Sequence, residues 1–195
     1  MINLEFLVLG RLENNTFVLT DEETGEIAVI DPSCESDELV SLIEQKGGNL
    51  KYILLTHGHF DHVGGVKSLK DRYCDAKICI SKDEMKLLKD DSLNGANIHR
   101  LKFDAFDVDV ELSDGDTIMF GDDEIRFITT PGHTAGSGCY ITGNWLFSAG
   151  RPLYAWQNLY KIFDKSRSGR FRIDIVLIAL LNADGTGSHL VICIV

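Results

Sequence analysis

Three of the six histidines in this 195-residue chain fall within one stretch of seven residues, THGHFDH, from Thr56 to His62. His57, His59, Asp61 and His62 stand at i, i+2, i+4 and i+5. Neighbours on a helix face are three or four residues apart. The spacing therefore does not line one helix; it suits a loop turning into a first helical turn, with the side chains converging on one point. Imidazole nitrogens with a carboxylate are ligands of zinc, and of non-haem iron or manganese. Without a cation, each crowded imidazole would need its own hydrogen-bond partner. A second segment, TTPGHTAGS (129–137), presents His133 after a Pro131–Gly132 turn. Beside the first cluster it reads as a further ligand, with Thr134 and Ser137 placed to cap the next turn or to bond the ligands.

Each segment follows a short apolar run, KYILLT (51–56) and EIRFI (124–128), and in mixed α/β folds sites gather at the carboxyl ends of strands. The alternating MINLEFLVLG reads as a strand, and residues 14–33 as two strands around a turn at Gly25. Residues 34–48 predict a helix capped by Ser36 and stopped by Gly47. HVGGVKSLKDRY (62–73) predicts another, whose Gly64 and Gly65 let it sit close to the sheet. A strand at 76–81 and a helix at 82–90 follow. Residues 107–133 then change rhythm to three short strands split by Asp/Gly turns, with two more in SGCYIT and NWLFSA. RIDIVLIALL (172–181) fits a helix or a buried strand. Two β-rich runs with helices between and after them predict two packed sheets covered by helices, in a single domain over 1–195.

The net charge of −11 argues against nucleic acid as a partner, because phosphate-backbone binding needs a basic face. No apolar run is long enough to span a bilayer, and the N-terminus lacks the basic start of a signal peptide. Five scattered cysteines, with no C-x-x-C pair, predict reduced thiols and a cytoplasmic protein. Cys139, close to His133, falls in an apolar strand and reads as core. No G-x-S-x-G signature of a serine hydrolase is present.

With its two motifs the chain resembles the metallo-β-lactamase fold hydrolases. The family pattern His-x-His-x-Asp-His is met by His57-Gly58-His59-Phe60-Asp61-His62, and Pro-Gly-His-Thr-x-Gly-Ser by residues 131–137. NTFVLTDEETGEIAVIDPS is similar to the family's opening hairpin, with Asp31 near the metals. The short length is similar to the glyoxalase II-like, hydroxyacylglutathione hydrolase branch. The resemblance implies a four-layer αβ/βα sandwich of two mixed sheets flanked by helices. It implies a first metal site of His57, His59 and His133. Asp61 and His62 would serve a second metal, and Asp61 would also orient the attacking water. It implies one or two Zn2+, with iron or manganese as alternatives, and hydrolysis of thioesters or small esters by metal-activated hydroxide. The resemblance, carried by the two histidine motifs, also implies a small-molecule substrate as the partner. A mononuclear iron persulfide dioxygenase-like enzyme and a metal-binding but catalytically impaired family member are the competing readings.

The pattern breaks after the strand WLF. The family's next acid, which bridges both metals, is absent from FSAGRPLY (147–154), where Gly150 or Arg151 takes its place. Asp164 and Asp174 could replace it only by chance. His189, in GTGSHL, is the nearest candidate for the last ligand. The charge changes at the same point: residues 1–148 hold 13 Lys and Arg against 27 Asp and Glu, whereas 149–195 hold 6 against 3. Residues 149–195 are thus expected to diverge from the family, and the basic KSRSGRFR (165–172) within them reads as a solvated loop.

Overall fold

The alternating N-terminus forms β1 (Ile2–Leu9) and pairs antiparallel with β2 (Asn14–Asp21), which pairs antiparallel with β3 (Ile27–Ile30). The structure is a computed structural model. It describes residues 1–101 and 103–142, and beyond these the backbones of Trp145–Ser148, Val176–Leu181 and Ser188–Cys193. After β3 the first sheet continues in parallel through β4 (Leu50–Leu54), β5 (Lys77–Ser81) and β6 (Val110–Leu112). The second sheet begins with β7 (Thr117–Phe120), β8 (Asp123–Thr129) and β9 (Gly138–Thr142), and continues with β10 (Trp145–Ser148), β11 (Val176–Leu181) and β12 (Ser188–Cys193). Its spatial order is β11-β12-β10-β9-β8-β7, with β10 and β12 parallel. Both sheets are mixed, and they form the β layers of an αβ/βα sandwich.

Pleating sorts the first sheet's side chains between two cores. Phe17, Leu19, Ile30 and Leu54 face the second sheet and pack with Phe120, Phe127 and Tyr140. Val18, Val29 and Ile53 face the other way, onto Leu39 and Ile43 of α1 (Asp37–Gln45) and Val66 and Leu69 of α3 (Val66–Arg72). Both faces being covered, the central strands read as nearly continuous apolar runs. The helices expected on the outer face of the second sheet lie outside the described residues.

Ser36 caps α1 as expected, its hydroxyl accepting from Leu39 N, and Gly47 takes φ +104° just past the helix end. Two elements differ from the sequence reading, and a third resolves an alternative it left open. The helix expected over 62–73 is two, α2 (Phe60–Val63) and α3, broken at Gly64–Gly65. A Cβ on Gly64 would lie 2.6 Å from Ser33 O, and one on Gly65 would overlap Cys34 O, so the chain here presses against the Pro32–Cys34 segment. Residues 82–90 form two 3-10 turns, 82–84 and 87–89, instead of one helix. There the Ser81 hydroxyl accepts from Asp83 N, and Glu84 turns fully inward. Within 172–181, residues 176–181 are strand, antiparallel to β12.

The sheets are joined by polar contacts next to the loop that follows β4. Gly138 N donates to Thr56 O at 2.9 Å. The buried Tyr140 hydroxyl, in β9, lies 2.9 Å from Leu55 O and 3.2 Å from Cys79 O, both on the opposite sheet. We expect Tyr140→Phe to lower unfolding free energy by about 1 kcal/mol, read from the midpoint of urea unfolding with an unchanged slope.

Candidate metal centre

His57 and His59 leave the carboxyl end of β4, and His133 leaves that of β8. Their rings meet edge to face. His59 Nδ1 lies 3.0 Å from His57 Nε2 and 2.9 Å from His133 Nε2. A ring nitrogen has one in-plane site, a proton or a lone pair, so His59 Nδ1 can satisfy at most one of these neighbours. A cation satisfies all three nitrogens together. With metal–nitrogen bonds of about 2.0–2.1 Å, tetrahedral ligands stand roughly 3.3 Å apart, close to the spacing found. Burial, followed by the neighbouring imidazoles, holds His57 well below its ordinary pKa. Burial and His133 bring His59 down to about 4, against the opposing charge of Asp61. The His57 and His59 rings are therefore neutral at physiological pH, the form that ligates metal. The donor set fits a divalent cation.

His62 stands on α2, its ring centroid 4.2 Å from that of His57. Its Nδ1 lies 3.0 Å from Asp31 Oδ2. A carboxylate only accepts, so this nitrogen carries a proton and Nε2 is left as the ring atom that could ligate a cation. Burial opposes protonation of His62, but the hydrogen bond and charge of Asp31, with Asp61 adding to them, outweigh it and raise the pKa. Asp31 also accepts from Thr56 N at 2.8 Å and Thr56 Oγ1 at 2.6 Å. It sits at φ +51°, a left-handed conformation that Asp tolerates better than most residues. Asp31, His57 and His62 have donor atoms close enough to share a cation. With three donors already on its oxygens, however, Asp31 is better used to orient His62. Asp61 Oδ2 is 3.5 Å from His62 Nε2. It accepts from Asn14 Nδ2 at 2.7 Å, and the same amide donates to Asp61 O at 2.9 Å. The opening hairpin thus holds Asp61 in place.

Two further positioning groups support the loops. Thr134 N and Oγ1 lie 3.0 and 2.6 Å from Ser137 Oγ, closing the His133 loop on itself. Glu84 was not singled out from the sequence. Fully buried, it accepts from Gly58 N at 2.8 Å and from Gly136 N at 2.6 Å. One carboxylate thereby ties the His57–His62 loop to the His133 loop. A Cβ on Gly136 would meet Ser81 Oγ at 2.8 Å and Glu84 at 2.9 Å, so close approach excludes a side chain there. Cys139 is buried core. His189 pairs opposite Leu180 in the β11–β12 ladder, but its side chain lies outside the described residues. So do Gly150, Arg151, Asp164, Asp174 and the basic 165–172.

The metallo-β-lactamase superfamily model matches residues 9–144. The chain belongs to the metallo-β-lactamase superfamily. Among curated members of this superfamily, it is 33% identical over 175 residues to a hydroxyacylglutathione hydrolase of Cereibacter sphaeroides, covering 82% of this chain and 61% of the relative. It is 29% identical over 157 residues to the probable metallo-hydrolase YqgX of Bacillus subtilis, covering 73% and 70%. The matched regions of the first curated relatives span 49% to 70% of those proteins' lengths. Among solved structures, TTHA1623 in a di-iron-bound form is 25% identical with a TM-score of 0.66, covering 82% of this chain and 85% of that one. The BLEG-1 B3 metallo-β-lactamase is 28% identical with a TM-score of 0.69, covering 75% and 71%. The superfamily is a metal-binding one, and the described residues hold the histidine cluster; the similar proteins include a di-iron-bound structure and a probable zinc-dependent hydrolase.

Removing Glu84 leaves two buried N–H groups without an acceptor. We expect Glu84→Ala to cost about 3 kcal/mol or more, since hydrogen bonds to charged groups are each worth about 1.5–3. Glu84→Gln, which keeps one acceptor oxygen, should fall between Ala and wild type. Thermal unfolding of the three metal-free proteins checks the order.

Proposed function

We propose that the protein is a metal-dependent hydrolase of thioesters or small esters, similar in chemistry to hydroxyacylglutathione hydrolase, acting on a small molecule in the cytoplasm. The observation that carries this reading is the convergence of His57, His59 and His133 nitrogens beside the Asp61–His62 pair. Identity of about one third to hydroxyacylglutathione hydrolase supports the substrate class, and 31% identity to a probable polyketide biosynthesis zinc-dependent hydrolase of Bacillus velezensis supports the metal-dependent hydrolase chemistry. Among the described residues, no helix is long and apolar enough to cross a membrane.

His57, His59 and His133 would hold the first cation, and His62 with Asp61 would hold a second. Bound there, a divalent cation acidifies water towards neutral pH and polarises an acyl carbonyl. Asp61, held by Asn14, would accept a hydrogen bond from the attacking water and aim it. The Asp31 bond on Nδ1 fixes the His62 ring so that Nε2 is its ligand atom. The buried wall around His57 excludes bulk water and strengthens these interactions.

Zinc, iron and manganese all suit this donor set. Elemental analysis of protein purified without added metal, run beside a thioester hydrolysis assay, tests the reading. About two zinc or iron per chain with thioester turnover supports it. Persulfide oxidation with one iron and no hydrolysis supports the dioxygenase alternative. About one metal or none, with neither activity, supports an impaired member of the superfamily. His59→Ala is expected to remove most of the metal and most of the activity; unchanged metal content would overturn the ligand assignment. His189→Ala is expected to lower metal content if that residue completes the second site, and to leave it unchanged if the site closes without it.

A further inference from the structure

Beside Asp61 a cavity of about 620 Å³ opens between the β1–β2 turn, the start of the Ser33–Glu35 segment, α2–α3 and the loop around Leu101. That volume is within the range of small-molecule sites. Its interior is apolar, with Leu9, Val63 and Ala96 buried and Phe60, Leu101 and Phe103 completing the walls. Asp61 and Asn14 form the wall nearest the histidines.

The charges around it select against a strongly anionic occupant. Glu35, Asp71 and Asp104 line the cavity against Arg11 and Lys67, and Lys67 is held by Asp71 at 2.8 Å. Carboxylates thus outnumber cations. A multiply charged thiol portion, such as a peptide thiol with two carboxylates, would meet repulsion here, whereas a hydrocarbon chain would bury against six apolar side chains. We propose that this cavity receives the acyl half of the substrate, and that the acyl group is an uncharged apolar chain or ring. The inference rests on the hydrolase reading above. A carbonyl held beside Asp61 extends its chain past Phe60 into the cavity, leaving the thiol half on the open side.

The test uses the full chain loaded with zinc, acyl thioesters of N-acetylcysteamine from acetyl to octanoyl, and the matching amides, which are not hydrolysed. We expect kcat/KM to rise about three- to fourfold per added methylene until the cavity fills, and the amides to tighten in parallel by calorimetry. Leu12→Glu and Leu101→Glu, at positions 49% and 39% exposed and therefore tolerant of charge, are expected to flatten both series. Thioester turnover with no dependence on chain length overturns the cavity assignment and leaves the hydrolase reading standing. Amide affinity that climbs with chain length, without turnover of any thioester, upholds the cavity and overturns the hydrolase reading. A flat amide series, or a slope that survives both substitutions, overturns the cavity assignment.

Discussion

The arrangement depends on one buried carboxylate. Glu84 receives an N–H from each of the two loops that carry the imidazoles, at 2.8 and 2.6 Å. Those loops leave strands in different sheets, and beyond the Gly138 N to Thr56 O bond at their stems the Glu84 carboxylate joins their tips. Hydrogen bonds to a buried charge are short and directional, so the distance between Gly58 and Gly136 is set by the span of a single carboxylate. The 2.9–3.0 Å approach of the three imidazole nitrogens follows from that setting. Asp31 does the corresponding work on the other side, joining Thr56 to His62. Each group uses a charge that burial makes costly and backbone or hydroxyl donors make tolerable.

The same geometry explains why neutral imidazoles can be stacked so closely. Protonating His57 would place a cation against the neighbouring His59, His62 and His133 rings, and its burial already disfavours that. His62 differs because Asp31 supplies a compensating charge, yet that bond occupies Nδ1 and leaves Nε2 facing Asp61. His57 and His59 are thus held neutral by burial and then by their neighbours, and His62 is oriented by a partner.

Much of this was legible in the sequence, for identifiable reasons. His57, His59, Asp61, His62 and His133 announce themselves because several metal-ligand residue types at short spacing have few other uses. Ser36 was legible because an N-cap is a local event, decided within four residues. Glu84 was not. It sits in KDEMKLLKD, whose charged and apolar spacing suits an ordinary solvated helix, and its two partners lie 26 and 52 residues away. Asn14 was equally silent, since its contact with Asp61 spans 47 residues. The break at Gly64–Gly65 was half visible: the glycines marked a close approach, but not that the neighbour is the Pro32–Cys34 backbone. RIDIVLIALL offered no period to separate strand from helix. The superfamily match ends at residue 144, near where the motif pattern departs from expectation.

The seam between the sheets gives the histidines a second consequence. His57, His59 and His62 belong to the first sheet, and His133 to the second; beneath them Tyr140 and Gly138 bond across the same junction. A ligand that engages both sides favours the docked state over any state in which the sheets part, by an amount that grows with the logarithm of its free concentration. One held at a hundred times its dissociation constant adds about 2.7 kcal/mol. That increment is a sizeable fraction of the roughly 5–15 kcal/mol by which a typical domain is stable. With the proposed cation bound, cohesion of the sandwich would become a property of its surroundings as well as of its sequence, and the supply of that ion would set how often the two halves come apart and meet proteases.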